Sequence, residues 1–152
     1  MTATGDIRNV VLLGHGGSGK TSLAEAMLHK TGATSRLGSV DDKTSTCDFY
    51  EEEKEHHHPI LSAIVHVEHA GKLINIIDTP GYPDFTGPAI TSIPAAETAI
   101  LVIGATAGIE TNTRKMFQLA REANKPVVIV INKMAAENVE VGELIGTIQE
   151  TF

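Results

Sequence analysis

The pattern of apolar and polar positions predicts strands that alternate with helices. Apolar runs of strand length are typical of buried strands. They lie at residues 98–103 and 127–131, and at residues 7–13, where Arg8 and Asn9 are the polar exceptions. Longer stretches carry apolar side chains at helical spacing, and they lie at residues 20–30, 111–122 and 139–152. A shorter helix is expected at residues 89–96, where Pro94 would interrupt it.

A hairpin and a long loop complete the pattern. The arms of the hairpin are residues 60–68 and 72–77, joined at Ala70-Gly71. On the first arm apolar positions alternate with polar ones, so one face should pack on a core. Periodicity is lost at residues 33–59, and a loop of that length in a compact domain is typical of a functional or mobile segment.

These elements predict an α/β fold with a mostly parallel sheet, one antiparallel hairpin and helices on both faces. Ligands of such sheets bind at the carboxyl ends of the strands. Polar and glycine-rich stretches follow the predicted strands that end at Leu13, Ile77 and Ile131. The sequence therefore predicts one site at this edge of the sheet.

Composition narrows the class of protein. A chain of 152 residues with 41% hydrophobic residues is large enough for one domain with a real core. The net charge of −7 argues against nucleic-acid binding through a general positive field, so no direct sequence-specific contact with nucleic acid is expected. Cys47 is the single cysteine, which excludes an internal disulfide and fits the cytoplasm. No apolar run reaches membrane-spanning length.

The stretch after the first strand reads Gly-x-x-x-x-Gly-Lys-Thr and is followed by a predicted helix. A strand, a glycine-rich turn and a helix N-terminus together present backbone N–H groups to phosphate. Lys20 would reach the β- and γ-phosphates, and the Thr21 hydroxyl would bind Mg²⁺. The candidate nucleotide-binding residues here are Gly14, His15, Gly16, Gly17, Ser18, Gly19, Lys20, Thr21 and Ser22.

Two further motifs follow strands. Asp78 precedes Thr79-Pro80-Gly81, and in P-loop proteins an aspartate at this place holds Mg²⁺. Gly81 would present its N–H to the γ-phosphate, and its flexibility would let the loop rearrange when that phosphate leaves. Asn132-Lys133 follows the last strand. The Asn132 amide would bond a purine edge or brace the phosphate loop, and the Lys133 stem would lie over the base.

In this order the motifs Gly-His-x-x-x-Gly-Lys-Thr, Asp-Thr-Pro-Gly-Tyr-Pro-Asp-Phe and Asn-Lys-Met resemble the GTPase domain of translational GTPases. The resemblance is closest to elongation factor G and elongation factor G-like proteins. It implies a P-loop NTPase fold that binds GTP or GDP with Mg²⁺, two switch regions at residues 40–59 and 78–87, and work on the ribosome. The metal would be held by Thr21 and Asp78.

The chain departs from that family's pattern at four places. Ala135 stands where the guanine signature ends in Asp, and Tyr82 stands at the catalytic histidine. Residues 56–60 lack the Mg²⁺-binding Thr of the first switch, and Gly17 replaces an Asp of the phosphate loop. Because a tyrosine hydroxyl is a poor base near pH 7, we expect a GTPase that is slow alone, with Lys20, Gly81 and Tyr82 at the reacting centre.

Other interpretations stay open on the sequence alone. One is a nucleotide-binding switch or docking module with little turnover, and another is a P-loop kinase, which Asp-Thr-Pro-Gly at a strand end disfavours. His56-His57-His58 is interpreted as a solvated stretch, because adjacent side chains of an extended segment point to opposite sides. Residues 1–152 are expected to be one GTP-binding domain, truncated relative to the longer chains of the family.

Overall fold

The computed structural model describes residues 2–47, 60–137 and 139–152, which form one sheet with helices on both sides. The strands are β1 Ile7–Leu13, β2 Ala63–His69, β3 Lys72–Asp78, β4 Thr98–Gly104 and β5 Val127–Asn132. The α-helices are α1 Lys20–Lys30, α2 Thr86–Ser92, α3 Thr111–Glu122 and α4 Val141–Thr151.

The sheet order is β2-β3-β1-β4-β5. β1 pairs in parallel with β3 and β4, and β4 pairs in parallel with β5, whereas β2 and β3 are the antiparallel arms of the hairpin. The predicted α/β class, with a mostly parallel sheet and one antiparallel pair, is confirmed. The three parallel pairings bring the carboxyl ends of β1, β3, β4 and β5 to one edge.

Successive residues of β1 point to opposite faces of the sheet and so belong to two separate cores. Val11 and Leu13 pack with buried side chains of α2, α3 and α4, such as Met116 and Ile148. Leu12 packs on the other face with side chains of α1 and β2. Because all three β1 side chains have no exposed surface, the central strand is covered by helices on both sides.

The bounds of α1 and α3 match the prediction, whereas the bounds of several other elements differ. The first hairpin arm begins at Ala63 and not at Ile60. α2 begins at Thr86, before the expected start, because Pro88 lies in the first turn, where a backbone N–H has no partner within the helix. α4 runs from Val141 to Thr151 and is shorter at both ends than the predicted range of 139–152.

A buried carboxylate of α1 holds the loop that follows the helix. Glu25 has no exposed surface, and its Oε1 accepts hydrogen bonds from the Ser45 hydroxyl at 3.0 Å and from the backbone N–H groups of Thr46 and Cys47. The loop leaves no room at Gly38, where a Cβ would overlap the same carboxylate. Glu25 therefore holds residues 45–47 by hydrogen bonds against the helix that begins at Lys20, and Gly38 packs on the same carboxylate.

We expect Glu25→Ala to destabilise the protein by about 2 kcal/mol or more, because it leaves the Thr46 N–H and the Ser45 hydroxyl without their carboxylate acceptor. Urea unfolding measures the change. Glu122→Ala is the control, since Glu122 is exposed on α3 and accepts a bond only from exposed Gln118 among the contacts described. Equal losses in the two variants would refute the anchoring role.

A second carboxylate joins the opposite end of β1 to the segment before β4. Glu97 accepts hydrogen bonds from the backbone N–H and the side-chain amide of Asn9, at 2.5 Å and 2.9 Å. These bonds, the backbone one first, lower the pKa of Glu97 from its usual value of 4.5. The ionised form is therefore favoured in the folded protein.

The stabilisation from Glu97 should be present above pH 4.5 and should decline as the pH falls through the lowered pKa. We expect Glu97→Gln to cost less than about 1 kcal/mol at pH 7, because the pair is exposed to solvent. The gap between the thermal unfolding curves of variant and wild type should close in acid. A gap that stays constant as the pH falls well below the usual value of 4.5 would contradict this account.

Candidate nucleotide site

The residues singled out from the sequence converge at the carboxyl edge of the sheet. Gly14 follows β1, Asp78 is the last residue of β3, and Asn132 is the last residue of β5. β1 and β3 pair so that Leu12 lies opposite Asp78. This register places the loop after β3 beside the loop after β1.

The phosphate loop wraps around the side chain of Lys20. Lys20 is 5% exposed, and its Nζ donates to the backbone carbonyls of His15 at 2.9 Å and Gly14 at 3.3 Å. Burial lowers the pKa of Lys20 to about 8, opposed by the nearby charge of Asp78. Below that pH the loop surrounds a positive charge that is only partly solvated, which suits an anionic ligand.

Thr21 and Asp78 meet beneath the loop. The Thr21 hydroxyl donates to Asp78 Oδ2 at 2.6 Å, and both residues are buried. A hydroxyl oxygen beside a carboxylate is a hard-oxygen pair that fits Mg²⁺, which keeps several waters and takes other ligands from phosphates. Among the described residues no group of three or more His, Cys, Asp or Glu side chains is placed to hold a metal without such help.

The loop after β3 lies directly on the phosphate loop. A Cβ on Gly81 would lie 2.6 Å from the backbone N of Gly16 and would overlap Lys20 Nζ, so only glycine fits. The next residue, Tyr82, covers Gly16 with its ring, which would be 2.9 Å from a Cβ built there. Tyr82 keeps 39% of its surface exposed and faces the open side of the site.

Asn132 and Lys133 approach the phosphate loop from β5. The Asn132 amide donates to the Ser18 carbonyl at 3.1 Å, and a Cβ on Gly19 would collide with it. Of the two geometries open on the sequence, the structure therefore has the one in which Asn132 braces the loop. Lys133 has a positive φ of 61° and contributes to the wall of the pocket beside the loop.

These elements surround an open pocket of about 430 Å³. Its walls include most of the predicted binding residues, namely Gly16, Gly17, Gly19, Lys20, Thr21, Ser22, Gly81, Tyr82 and Lys133. The other predicted residues do not line it, and they are Gly14, His15, Ser18, Asp78 and Asn132. Buried Ser18 and Asp78 lie behind the wall, as does half-buried Asn132, where they hold its shape.

Residues 37–41 form one wall of the pocket, which includes the acidic side chain of Asp41 and the first residues of the predicted first switch. The sequence did not predict the support on another side. At the start of α3, Glu110 Oε1 lies 3.2 Å from His15 Nε2, and the Asn112 amide donates to the Gly81 carbonyl at 2.7 Å. Two polar residues at a helix start give no signal in sequence that separates such contacts from ordinary surface positions.

Besides Tyr82, two of the departures from the family pattern can be placed and one cannot. Ala135 is exposed in the turn after β5, and Glu137 nearby is exposed too. Gly17 lines the pocket. Residues 48–59, with His56-His57-His58 and most of the predicted first switch, lie outside the described residues. Within the described part of the chain, no helix is long and apolar enough to span a membrane.

Comparisons with known proteins agree with this geometry. Residues 5–152 match the family described as the elongation factor Tu GTP binding domain. An elongation factor G-like protein of Mycobacterium tuberculosis is 36% identical over 148 residues, which are 97% of this chain and 21% of that protein. Peptide chain release factor 3 of a Synechocystis species is 32% identical over 147 residues, 94% of this chain and 27% of that protein.

A crystal structure of a protein from Thermus thermophilus superposes with a TM-score of 0.92 at 34% identity, covering 95% of this chain and 22% of the other. The chain thus spans only about a fifth to a quarter of the length of these relatives. The matched family extends over nearly every residue of the chain, including all the loops that line the pocket. The chain therefore belongs to the translational GTPases and carries their GTP-binding domain of the elongation factor Tu type.

Proposed function

We propose that this domain binds GTP and GDP with Mg²⁺, hydrolyses GTP slowly alone, and serves a cytoplasmic translation factor whose hydrolysis is coupled to the ribosome. The observation that carries the proposal is the phosphate loop closed around buried Lys20, with the Thr21–Asp78 pair beneath it. The family supports guanine nucleotide as the ligand. The ribosome as partner is proposed from relatives that are a release factor and an elongation factor G-like protein.

Lys20 and the loop N–H groups would hold the phosphates. Lys20 Nζ now bonds two carbonyls of its own loop, and a phosphate oxygen would replace these with charge-assisted bonds. The start of α1 lies at Lys20 and adds the positive end of a helix dipole. Ser22 lines the pocket beside Thr21, where its hydroxyl or N–H would meet the phosphate nearest the sugar.

Thr21 and Asp78 would hold Mg²⁺, which supplies charge neutralisation between the β- and γ-phosphates when it is bound. The Thr21 hydroxyl could offer an oxygen lone pair to the metal and still donate its proton to Asp78 Oδ2, because a hydroxyl has one donor and two lone pairs. Asp78 would then accept hydrogen bonds from metal-bound water. The buried position of both side chains fixes their orientation before the ligand arrives.

Gly81 and Tyr82 would act at the γ-phosphate. Gly81 lies beside Lys20 Nζ, so its N–H would reach the terminal phosphate, and the ring of Tyr82 would shield that phosphate from solvent. The Tyr82 hydroxyl would orient water but would not remove its proton at neutral pH. This chemistry supports slow hydrolysis by the isolated domain.

The second candidate function, a nucleotide switch without useful turnover, rests on the same Tyr82. Single-turnover hydrolysis of radiolabelled GTP, with and without ribosomes, separates the two. Slow hydrolysis that ribosomes accelerate supports the GTPase. Nucleotide binding with no hydrolysis under either condition supports the switch.

Fluorescent GDP should bind, and Lys20→Ala should weaken its binding by about 10–100-fold, because one charge-assisted phosphate contact of roughly 1.5–3 kcal/mol is lost. Fluorescence titration in the presence of Mg²⁺ measures both constants. Lys30→Ala, at the exposed end of α1, is the control with the same change of charge. Equally weak binding of GDP and ADP, with no effect of Lys20→Ala, would refute the proposal.

The preference of the domain for GDP over ADP should be weak, and Ala135→Asp should increase it. A carboxylate there would accept bonds from two guanine donors, and their loss corresponds to about 10²-fold or more in affinity. The ratio of GDP to ADP dissociation constants before and after the substitution measures this. Ala136→Asp, one residue further along the same exposed turn, controls for added charge. A ratio that already favours GDP in the wild type and stays unchanged would contradict this prediction, because another group, such as Asp41 on the pocket wall, would then read the base.

A further inference from the structure

The amino-terminal end of α3 touches both loops of the nucleotide site. Asn112 lies in the first turn of the helix, is 2% exposed, and donates from Nδ2 to the Gly81 carbonyl at 2.7 Å. Two residues earlier, Glu110 pairs with His15 of the phosphate loop at 3.2 Å. One helix end is thus bonded to the loop after β1 and to the loop after β3.

The bond from Asn112 fixes one particular peptide group. The Gly81 carbonyl belongs to the peptide that leads into Tyr82, so its direction determines where the Tyr82 ring lies. On its other side Gly81 is in contact with Lys20 Nζ and the Gly16 backbone, with no room for a Cβ. Gly81 is therefore held between Asn112 and the phosphate loop.

The loop after β3 is also anchored at its start, so Asn112 is needed only for the part of the loop further along. The Thr79 hydroxyl donates to the Leu12 carbonyl at 2.6 Å and ties that end of the loop to β1. Further along, before the short turn that begins at Pro83, the Asn112 amide holds the loop backbone at Gly81. Loss of this bond loosens the Gly81–Tyr82 peptide and leaves the sheet intact.

Asn112 has little reason to be buried other than this contact. Its Oδ1 is buried and has no hydrogen-bond partner among the described residues. The side chain therefore bears the desolvation cost of this oxygen, and only its Nδ2 makes a hydrogen bond. An apolar residue would avoid that cost. The arrangement fits a side chain whose donor orients the Gly81 peptide.

We propose that Asn112 is a positioning residue that holds Gly81 and Tyr82 against the phosphate loop, so that α3 favours the nucleotide with a γ-phosphate over the one without. The inference rests on the proposed nucleotide binding. Gly81 lies beside Lys20 Nζ, so a γ-phosphate held by Lys20 would reach it, whereas GDP, which lacks that phosphate, would not. Displacement of Gly81 should therefore lower the affinity for GTP much more than the affinity for GDP.

The test compares affinities of the protein for fluorescent GDP and for a fluorescent non-hydrolysable GTP analogue, with Mg²⁺. Asn112→Asp is the main variant, because it keeps the shape, suits the first turn of a helix, and turns the donor into an oxygen that repels the Gly81 carbonyl. We expect it to lower the affinity for the GTP analogue about 5–10-fold, which corresponds to the loss of one hydrogen bond. The affinity for GDP should fall less than about twofold. Asn112→Ala should shift the ratio the same way.

Gln118→Ala is the matched control, since Gln118 is an exposed amide on the same helix and bonds Glu122. It should leave both affinities unchanged. Thermal unfolding of each variant without nucleotide measures any general loss of structure, which would weaken both nucleotides by the same factor.

The outcomes distinguish the two proposals. If wild type binds both nucleotides and Asn112→Asp leaves their ratio unchanged, the positioning role is wrong and the proposed function stands. A common loss for both nucleotides that follows the loss of thermal stability also overturns it. If wild type binds neither nucleotide, the proposed function fails and this inference fails with it.

Discussion

The parallel pairing of β1 with β3 is the constraint on which the site depends. It sets Leu12 opposite Asp78, so the loops that follow the two strands begin at the same level of the sheet. The Thr79 hydroxyl locks this register by donating to the Leu12 carbonyl, and the Thr21 hydroxyl donates to the neighbouring Asp78. A slip of one residue would turn Asp78 to the other face and break both bonds.

The groups of the site form two layers, an outer one that lines the pocket and an inner one that is buried behind it. The outer layer lines the pocket and is built from backbone and flexible side chains, which suits a ligand that is mostly phosphate. The inner layer is buried and polar, and it includes Ser18, Asp78 and Asn112. Because unpaired polar groups are costly inside a protein, each contact in the inner layer fixes an orientation, as Asn132 does for the carbonyl of Ser18.

Loops far apart in the chain are tied to helix starts. α1 carries Lys20 and Thr21 at its start and Glu25 one turn later, so the phosphate loop and residues 38–47 share one rigid support. α3 does the same for the phosphate loop and the loop after β3, through Glu110 and Asn112. The phosphate loop is thus supported by rigid elements, whereas Tyr82 and Ala135, two positions that depart from the family pattern, are single exposed residues.

The amino-acid pattern alone determined the fold class, the bounds of α1 and α3, and the three strand ends at which the site lies. It could do so because apolar periodicity is local, and because glycine-rich turns after strands have few other uses. It also identified most of the residues that line the pocket, because the backbone geometry of the phosphate loop depends on residues that are consecutive in the sequence. It misplaced the start of α2, because the first turn of a helix tolerates proline and the helix therefore begins before Pro88.

Tertiary structure decided which partner each polar side chain takes. Glu25 on α1 and Asn112 near a helix start look like surface residues in the sequence, yet both are buried and bonded to distant backbone. The choice for Asn132 between base and loop was likewise settled by the position of Ser18, 114 residues away in the chain. Such contacts depend on how strands align and helices pack, and no local pattern carries that information.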